Sequence, residues 1–244
     1  MKAHCFYRDL PSAGVKLEKK ERFKIVAGKY FRELNKEEPL KTQIFNVEDI
    51  KGLEGYNGYR GNFVADIAIV VLDRNIRFNS HISPICLDYD SNLQSQSKLP
   101  VGKSGRLAGW GWTEYNGSIS DELKTLDMPI VSLEDCKKEA DDFVEYITPG
   151  EILIFFTRTF LYLGIFLDKI CAGSPGFSAC KGDSGGGLVV SKNVGGSPAF
   201  YLRGIVSNSR LVPNGCDTVF YTMFINVHSY IGFVEETVNA YTPR

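Results

Sequence analysis

The run Ala179-Cys180-Lys181-Gly182-Asp183-Ser184-Gly185-Gly186-Gly187 places one serine among glycines, directly after an aspartate. A serine hydroxyl is a weak nucleophile until a neighbouring base removes its proton. Acyl transfer also needs N–H groups aimed at the oxygen that gains charge. Glycines let the backbone reach positive φ and come close to a bound group, so a glycine-lined turn around Ser184 can supply that geometry. Glycine-rich turns also occur with no chemistry attached. A histidine and a buried carboxylate elsewhere in the chain decide between the two.

The chain has three histidines. His81 and His228 read as ordinary surface or core residues. His4 stands beside Cys5. Asp66 heads the run Asp66-Ile67-Ala68-Ile69-Val70-Val71-Leu72, although carboxylates are rarely buried without partners. Such a residue is otherwise a turn former. Together the three fit acyl transfer. His4 takes the Ser184 proton and passes it to the leaving amine. Asp66 holds the His4 tautomer and stabilises the imidazolium. The N–H groups of Gly182 and Ser184 hold the oxyanion.

These residues need a scaffold of short strands. The chain has 244 residues, 43% of them hydrophobic, with 24 glycines and 10 prolines as punctuation. That suffices for one large all-β unit or two small barrels. Strands are expected over 23–31, 42–50, 66–72, 123–131, 188–190 and 201–206, with 66–72 buried on both faces. Residues 51–62 read as a glycine-rich loop. Ser132 caps a short helix start. Val227, Tyr230, Ile231, Val234, Val238 and Tyr241 share one face of a terminal helix. The expected organisation is a first unit over 1–90, a polar linker over 91–103, a second over 104–226 and a C-terminal helix over 227–241. A formal charge of −1 with both signs interspersed points to no nucleic-acid or anionic-membrane partner. The six cysteines form no CxxC pair, so neither a zinc site nor another cofactor is implied. Spread singly, they fit disulfides in an oxidising compartment; buried free thiols in a cytosolic protein are the alternative.

AHC at 3–5, DIAIVVL at 66–72, GWG at 109–111, ICAG at 170–173 and GDSGG at 182–186 occur in one order over nearly the whole chain. In these motifs the sequence resembles the chymotrypsin/trypsin-like serine peptidases, most closely the arthropod modular proteases that initiate immune cascades. The resemblance implies an all-β fold of two six-stranded antiparallel barrels, the first incomplete here, with a C-terminal helix. It assigns His4, Asp66 and Ser184 to the catalytic triad, Ser207 to the serine that bonds the triad aspartate, and Asp183 to the partner of the amino terminus freed on zymogen cleavage. It implies Cys136–Cys171 and Cys180–Cys216 disulfides. Ser178 matches the floor of the specificity pocket, and Ser209 and Val219 its walls. An uncharged floor leaves a Lys or Arg side chain without a counter-charge, so cleavage after small to medium apolar residues is expected. Asn208 stands where the family has tryptophan. The implied setting is extracellular, with downstream zymogens as substrates and serpin-type inhibitors as partners.

The sequence departs from the family in three places. It begins at the His motif without a signal peptide, so the expectation is a truncated chain with an open first-barrel edge and weak or no activity. Cys5 and Cys86 are left over; Cys86 matches the cysteine that tethers the peptidase to upstream modules, and a Cys5–Cys86 bridge is the alternative. Residues 150–167 (GEILIFFTRTFLYLGIFL) are apolar, too short for a comfortable span and interrupted by Arg158. They read as a retained intron, because codons for Gly-Glu and Leu-Asp can hold splice sites whose junction restores the family-like YITPDKICAG. An exposed apolar loop is the alternative. Two other functions compete: a silent peptidase homologue acting as a binding module, and an esterase with a nucleophile elbow. The elbow requires a helix after the serine, whereas Gly187-Leu188-Val189-Val190 leads into a strand.

Overall fold

The computed structural model describes residues 1–10, 14–36, 42–61, 63–89, 99–114, 117–136, 138–139, 168–208, 211–212, 215–216 and 220–242, with the backbone alone at 59, 208, 211–212 and 215–216. A hairpin of β1 (Tyr7–Leu10) and β2 (Gly14–Leu17) pairs Tyr7 with Leu17. β3 (Lys24–Ala27), β4 (Gln43–Gly52) and β5 (Ala68–Leu72) form an antiparallel sheet in that order. Side chains alternate across a strand, and β4 buries Phe45 and Val47 while Asn46 and Glu48 face out. Ala3, Phe6, Val47, Ile50, Tyr56 and Ala68 fill the space behind.

The apolar run at 66–72 is not buried on both faces. Only Ala68 of β5 is fully buried, and its other residues are half-buried. Among the described strands β5 pairs with β4 alone, so its outer flank stays partly covered rather than enclosed. The strand expected over 23–31 is shorter, and the loop over 51–62 contains a single 3₁₀ turn at Gly58–Gly61.

The second half supplies β6 (Ser104–Gly109), β7 (Lys124–Val131), β8 (Lys169–Ala172), β9 (Gly187–Val194), β10 (Ser197–Asn208), the short β11 (Leu211–Val212) and β12 (Gly215–Cys216), and β13 (Thr222–Asn226). Six of them close in the order β10-β13-β8-β7-β6-β9. Closure removes the exposed edges. Leu107, Met128, Ile170, Leu188, Val206 and Phe224 fill the barrel. Phe224 is wholly buried, and truncating such a side chain to alanine costs about 3–5 kcal/mol. Ser132 Oγ accepts the Asp135 N–H at 2.9 Å and starts the helical residues 133–136. Cys136 there is bridged to Cys171 of β8. Cys180 is also disulfide-bonded; the side chain of Cys216 lies outside the described residues. Cys5 and Cys86 are free and exposed, not joined to each other.

Ile67 from the first sheet meets Ile205, Ile225 and Val227 from the barrel and its exit, with Leu87, Tyr230 and Phe233 around them. Cys86 lies along β10, its N–H donating to Phe200 O and its carbonyl accepting from Leu202 N–H, both at 3.0 Å. Asp88 then receives Lys192 and Arg203, each at 2.6 Å. The chain ends in a helix over Ile231–Tyr241, preceded by a 3₁₀ turn at Val227–Tyr230. That turn changes the phase of the apolar face, because a 3₁₀ turn holds 3.0 residues against 3.6. Phe233 and Thr237 therefore face inward, while Val238 and Tyr241 are 49% and 41% exposed.

The all-β class, with one closed six-stranded barrel, a partial first sheet and one terminal helix, is borne out. No described helix is long and apolar enough to cross a membrane. Residues 91–98 of the linker, the whole of 150–167, Ser209 and Val219 lie outside the described residues.

Candidate active site

A 3₁₀ turn over Ala3–Cys5, closed by the Phe6 N–H donating to Ala3 O at 2.8 Å, presents the His4 ring. Asp66 is fully buried. Its Oδ1 accepts the His4 backbone N–H at 2.8 Å, and its Oδ2 lies 2.8 Å from His4 Nδ1. The Ser207 hydroxyl donates to the same Oδ2 at 3.3 Å. A carboxylate at Nδ1 assigns the ring proton to Nδ1 and leaves Nε2 as the free base. The Phe63 ring packs on His4, with centroids 5.1 Å apart.

The turn that delivers Asp66 is strained. Phe63 and Ala65 take φ of 54° and 59°, values uncommon outside glycine. Strain of this kind persists where the surroundings over-determine it. Here Lys169 Nζ donates to Phe63 O at 2.8 Å, and Asp168 Oδ2 accepts the Ala65 N–H at 2.9 Å. Asp168 and Lys169 pair at 2.8 Å, and the Tyr230 hydroxyl donates to Asp168 Oδ2 at 2.5 Å. Burial holds Lys169 below its ordinary pKa against the pull of Asp168. Burial and then the Asp168 carboxylate push the Tyr230 phenol up. The barrel thus clamps the loop of the other sheet.

Ser184 follows a tight turn. The Asp183 N–H donates to Cys180 O at 3.0 Å, and the Gly186 N–H to Asp183 O at 2.9 Å. Gly182 has φ of +103°, and a Cβ on it would stand 3.0 Å from Gly111 Cα; the position requires glycine. The Gly185 N–H donates to Val206 O at 3.1 Å, tying the turn to β10. Asp183 points back into the barrel wall. Its carboxylate accepts the Gly111 N–H at 2.9 Å and the Cys180 N–H at 3.0 Å. Burial raises its pKa in spite of both bonds. The GWG motif is explained by this contact, since a side chain on Gly109 or Gly111 would collide with the Asp183 carboxylate. A cavity of about 230 Å³ opens beside it, lined by Gly111, Trp112, Lys124, Phe177, Ser178 and Asp183 among others. Ser178 is buried there.

Among the described residues no hydrogen bond joins His4 to Ser184. The Ser184 hydroxyl instead accepts Lys2 Nζ at 3.1 Å. Catalytic hydrogen bonds are often long before substrate binds, so this spacing does not remove His4 from the chemistry. Sequence reasoning missed Lys2, Phe63 and the Asp168–Lys169–Tyr230 clamp. Lys2, two positions before His4, and Asp168–Lys169, directly before the ICAG motif, stood near motifs that could have drawn notice. His81 bonds the Ser80 hydroxyl at 3.0 Å and His228 faces the Asp88 carbonyl at 3.3 Å; neither touches the site.

A closed β-barrel carrying a serine in a glycine turn, together with a histidine held by a buried aspartate, defines the class as a β-barrel serine endopeptidase. The chain belongs to the trypsin family, whose model, Trypsin, matches residues 2–234. It is similar to the complement C1s subcomponent of Rattus norvegicus, with 32% identity over 180 residues, covering 73% of this chain and 23% of that protein. Clotting factor C of Tachypleus tridentatus matches at 27% over 242 residues, 97% of this chain and 21% of that protein. Phenoloxidase-activating factor 3 of Holotrichia diomphalia matches at 30% over 199 residues, 80% and 48% respectively. The chain spans about a quarter of the length of the first two.

Proposed function

We propose that the chain is the proteolytic unit of an extracellular cascade protease that cleaves after small to medium apolar residues. The observation that carries this reading is the two-point hold of Asp66 on His4, set in a trypsin-family fold with the Ser184 turn. Ser184 Oγ attacks the scissile carbonyl as His4 Nε2 takes its proton. The oxyanion is held by the N–H groups of Gly182 and Ser184. His4 then protonates the leaving amine, and water repeats the sequence on the acyl-enzyme. Ser207 supports Asp66. Asp183, reaching the cavity beside the turn, accepts the amino group freed by activation cleavage.

Ser178, uncharged and buried, floors the specificity pocket, with Ser209 and Val219 as its walls. A basic side chain would lose its hydration there without compensation. The relatives named for clotting, complement and phenoloxidase activation favour downstream protein zymogens as substrates, and serpin-type inhibitors complete the proposed set of partners. The exposed Cys86 thiol is the tether for upstream modules. The contact of Ser184 with Lys2 rather than His4 favours a second reading, a silent homologue that binds partners. A fluorophosphonate probe decides between them. It should label Ser184 in the activated wild-type protein that carries this chain and leave Ser184→Ala unmodified; an unlabelled activated wild type would sink the peptidase reading. A peptide library should be cut after Leu, Val or Ala, and cutting mainly after Arg would refute the pocket assignment.

A further inference from the structure

Lys2 reaches Ser184 from a buried position. Its Cβ lies within van der Waals distance of the Gly185 position, its side chain is 2% exposed, and Nζ stops 3.1 Å from Ser184 Oγ. An ammonium carries three donors and no acceptor. Among the described residues, Nζ has one hydrogen-bond partner, and that partner is a neutral hydroxyl. Burying a cation so sparsely satisfied is costly. The neutral amine fits better, because its lone pair can accept the Ser184 hydroxyl proton. The charged and titratable groups around it are Asp66, Cys5 and Lys169, with His4 two residues on and the Met1 amino group bonded to Ala68 O at 2.7 Å. Burial is the dominant influence and holds Lys2 below the ordinary lysine range, although Asp66 and Cys5 pull the other way.

We infer that Lys2 is a second general base for Ser184, giving a Lys2–Ser184 dyad that reacts with activated esters and phosphonyl fluorides without His4. The inference rests on the reading of Ser184 as the nucleophile. In the step, the amine lone pair takes the Ser184 hydroxyl proton. The Oγ electron pair forms the bond to carbon or phosphorus, and phenolate or fluoride leaves with its bonding pair. Lys2 is left as an ammonium and returns the proton to water. These leaving groups need no proton, whereas the amine of a peptide does. Peptide cleavage therefore stays with His4, and the dyad adds an activity confined to good leaving groups.

The test labels the full 244-residue chain with a fluorophosphonate probe as wild type, His4→Ala, Lys2→Met and the double variant, with Ser184→Ala as blank. General-base catalysis is worth about 10²–10⁴-fold, so His4→Ala should label at least ~10²-fold faster than His4→Ala/Lys2→Met. Its rate should rise with pH through a single titration below the ordinary lysine value of about 10.4. Lys2→Arg in the His4→Ala background keeps a cation that does not deprotonate and should label as slowly as the double variant. Circular dichroism checks that each variant folds, and the Arg variant decides if the Met variant does not. Labelling of His4→Ala no faster than the double or the Arg variant overturns the dyad, as does a faster Lys2→Met than wild type. A labelled wild type with an unlabelled His4→Ala removes the dyad alone, as does an unlabelled 244-residue wild type; an activated protein that also stays unlabelled removes the peptidase reading with it.

Discussion

Asp66 holds His4 at two points, the main chain through Oδ1 and the ring through Oδ2, each at 2.8 Å. One contact alone would fix either the position of the residue or the orientation of its imidazole. Both together fix the ring against the backbone that carries it, and the Ser207 hydroxyl at 3.3 Å keeps Oδ2 from turning away. Asp66→Asn keeps the shape but offers an N–H or a weaker acceptor to Nδ1, which favours the wrong tautomer. In a triad of this type that change lowers turnover about 10⁴-fold. Ser184 labelling by a fluorophosphonate should fall steeply in Asp66→Asn with the melting temperature little changed. A loss under about tenfold would show that the ring does not depend on this carboxylate.

The Asp168–Lys169 pair makes a different demand. Both side chains are almost wholly buried and they meet at 2.8 Å. Removing one partner of such a pair leaves an uncompensated charge and costs about 3–5 kcal/mol. Lys169→Met should therefore lower stability by that order in urea unfolding, and Asp168→Asn likewise. The double variant should cost less than the sum of the two, because residues in contact couple by about 0.5–3 kcal/mol. Additive losses would mean that the two residues hold Phe63 and Ala65 independently.

Asp183 predicts a pH signature. Burial raises its carboxyl pKa above the ordinary carboxylate value of 3.8 in the folded chain. The folded state then binds more protons than the unfolded state between 3.8 and the raised value, so its contribution to stability falls as pH rises through that window. Asp183→Asn removes the titration. The stability of wild type minus that of Asp183→Asn should be greatest at low pH and decline toward neutrality. A difference that grows with pH would mean that the Gly111 and Cys180 N–H bonds outweigh burial.

The chemistry of this chain was more legible in its sequence than its mechanics. Ser184, His4 and Asp66 announce themselves because each needs a local motif: a glycine turn, a histidine beside a cysteine, an acid before an apolar run. The strands are legible for a similar reason, since alternation such as that of β4 is a local pattern. The phase of the C-terminal helix was not, because the 3₁₀ turn at Val227–Tyr230 rotates a face that looks continuous in the sequence. Nor was the clamp, in which Lys169 reaches Phe63 across 106 positions. Lys2 was hidden for the opposite reason. It stands next to a motif, but a lysine there carries no pattern until the fold sets its amine against Ser184.

Ser178 gives the sharpest test of specificity. The residue is 8% exposed and lines the cavity with Phe177 and Gly176, six positions before Ser184 in sequence. If it floors the pocket, the floor as it stands offers a hydroxyl and no charge. A guanidinium entering such a site gives up its hydration for nothing of opposite sign, which disfavours it by several kcal/mol. Ser178→Asp would place a carboxylate at the same point. The buried charge is then unfavourable without substrate and compensated with it, so the change should act on binding of basic substrates and not on the Ser184 turn. The ratio of kcat/KM for Arg over Leu at the cleaved position should rise about 10²-fold or more, while fluorophosphonate labelling, which senses no such side chain, stays near wild type. An unchanged ratio with intact labelling would place the floor of the pocket elsewhere in the wall formed by residues 176–178.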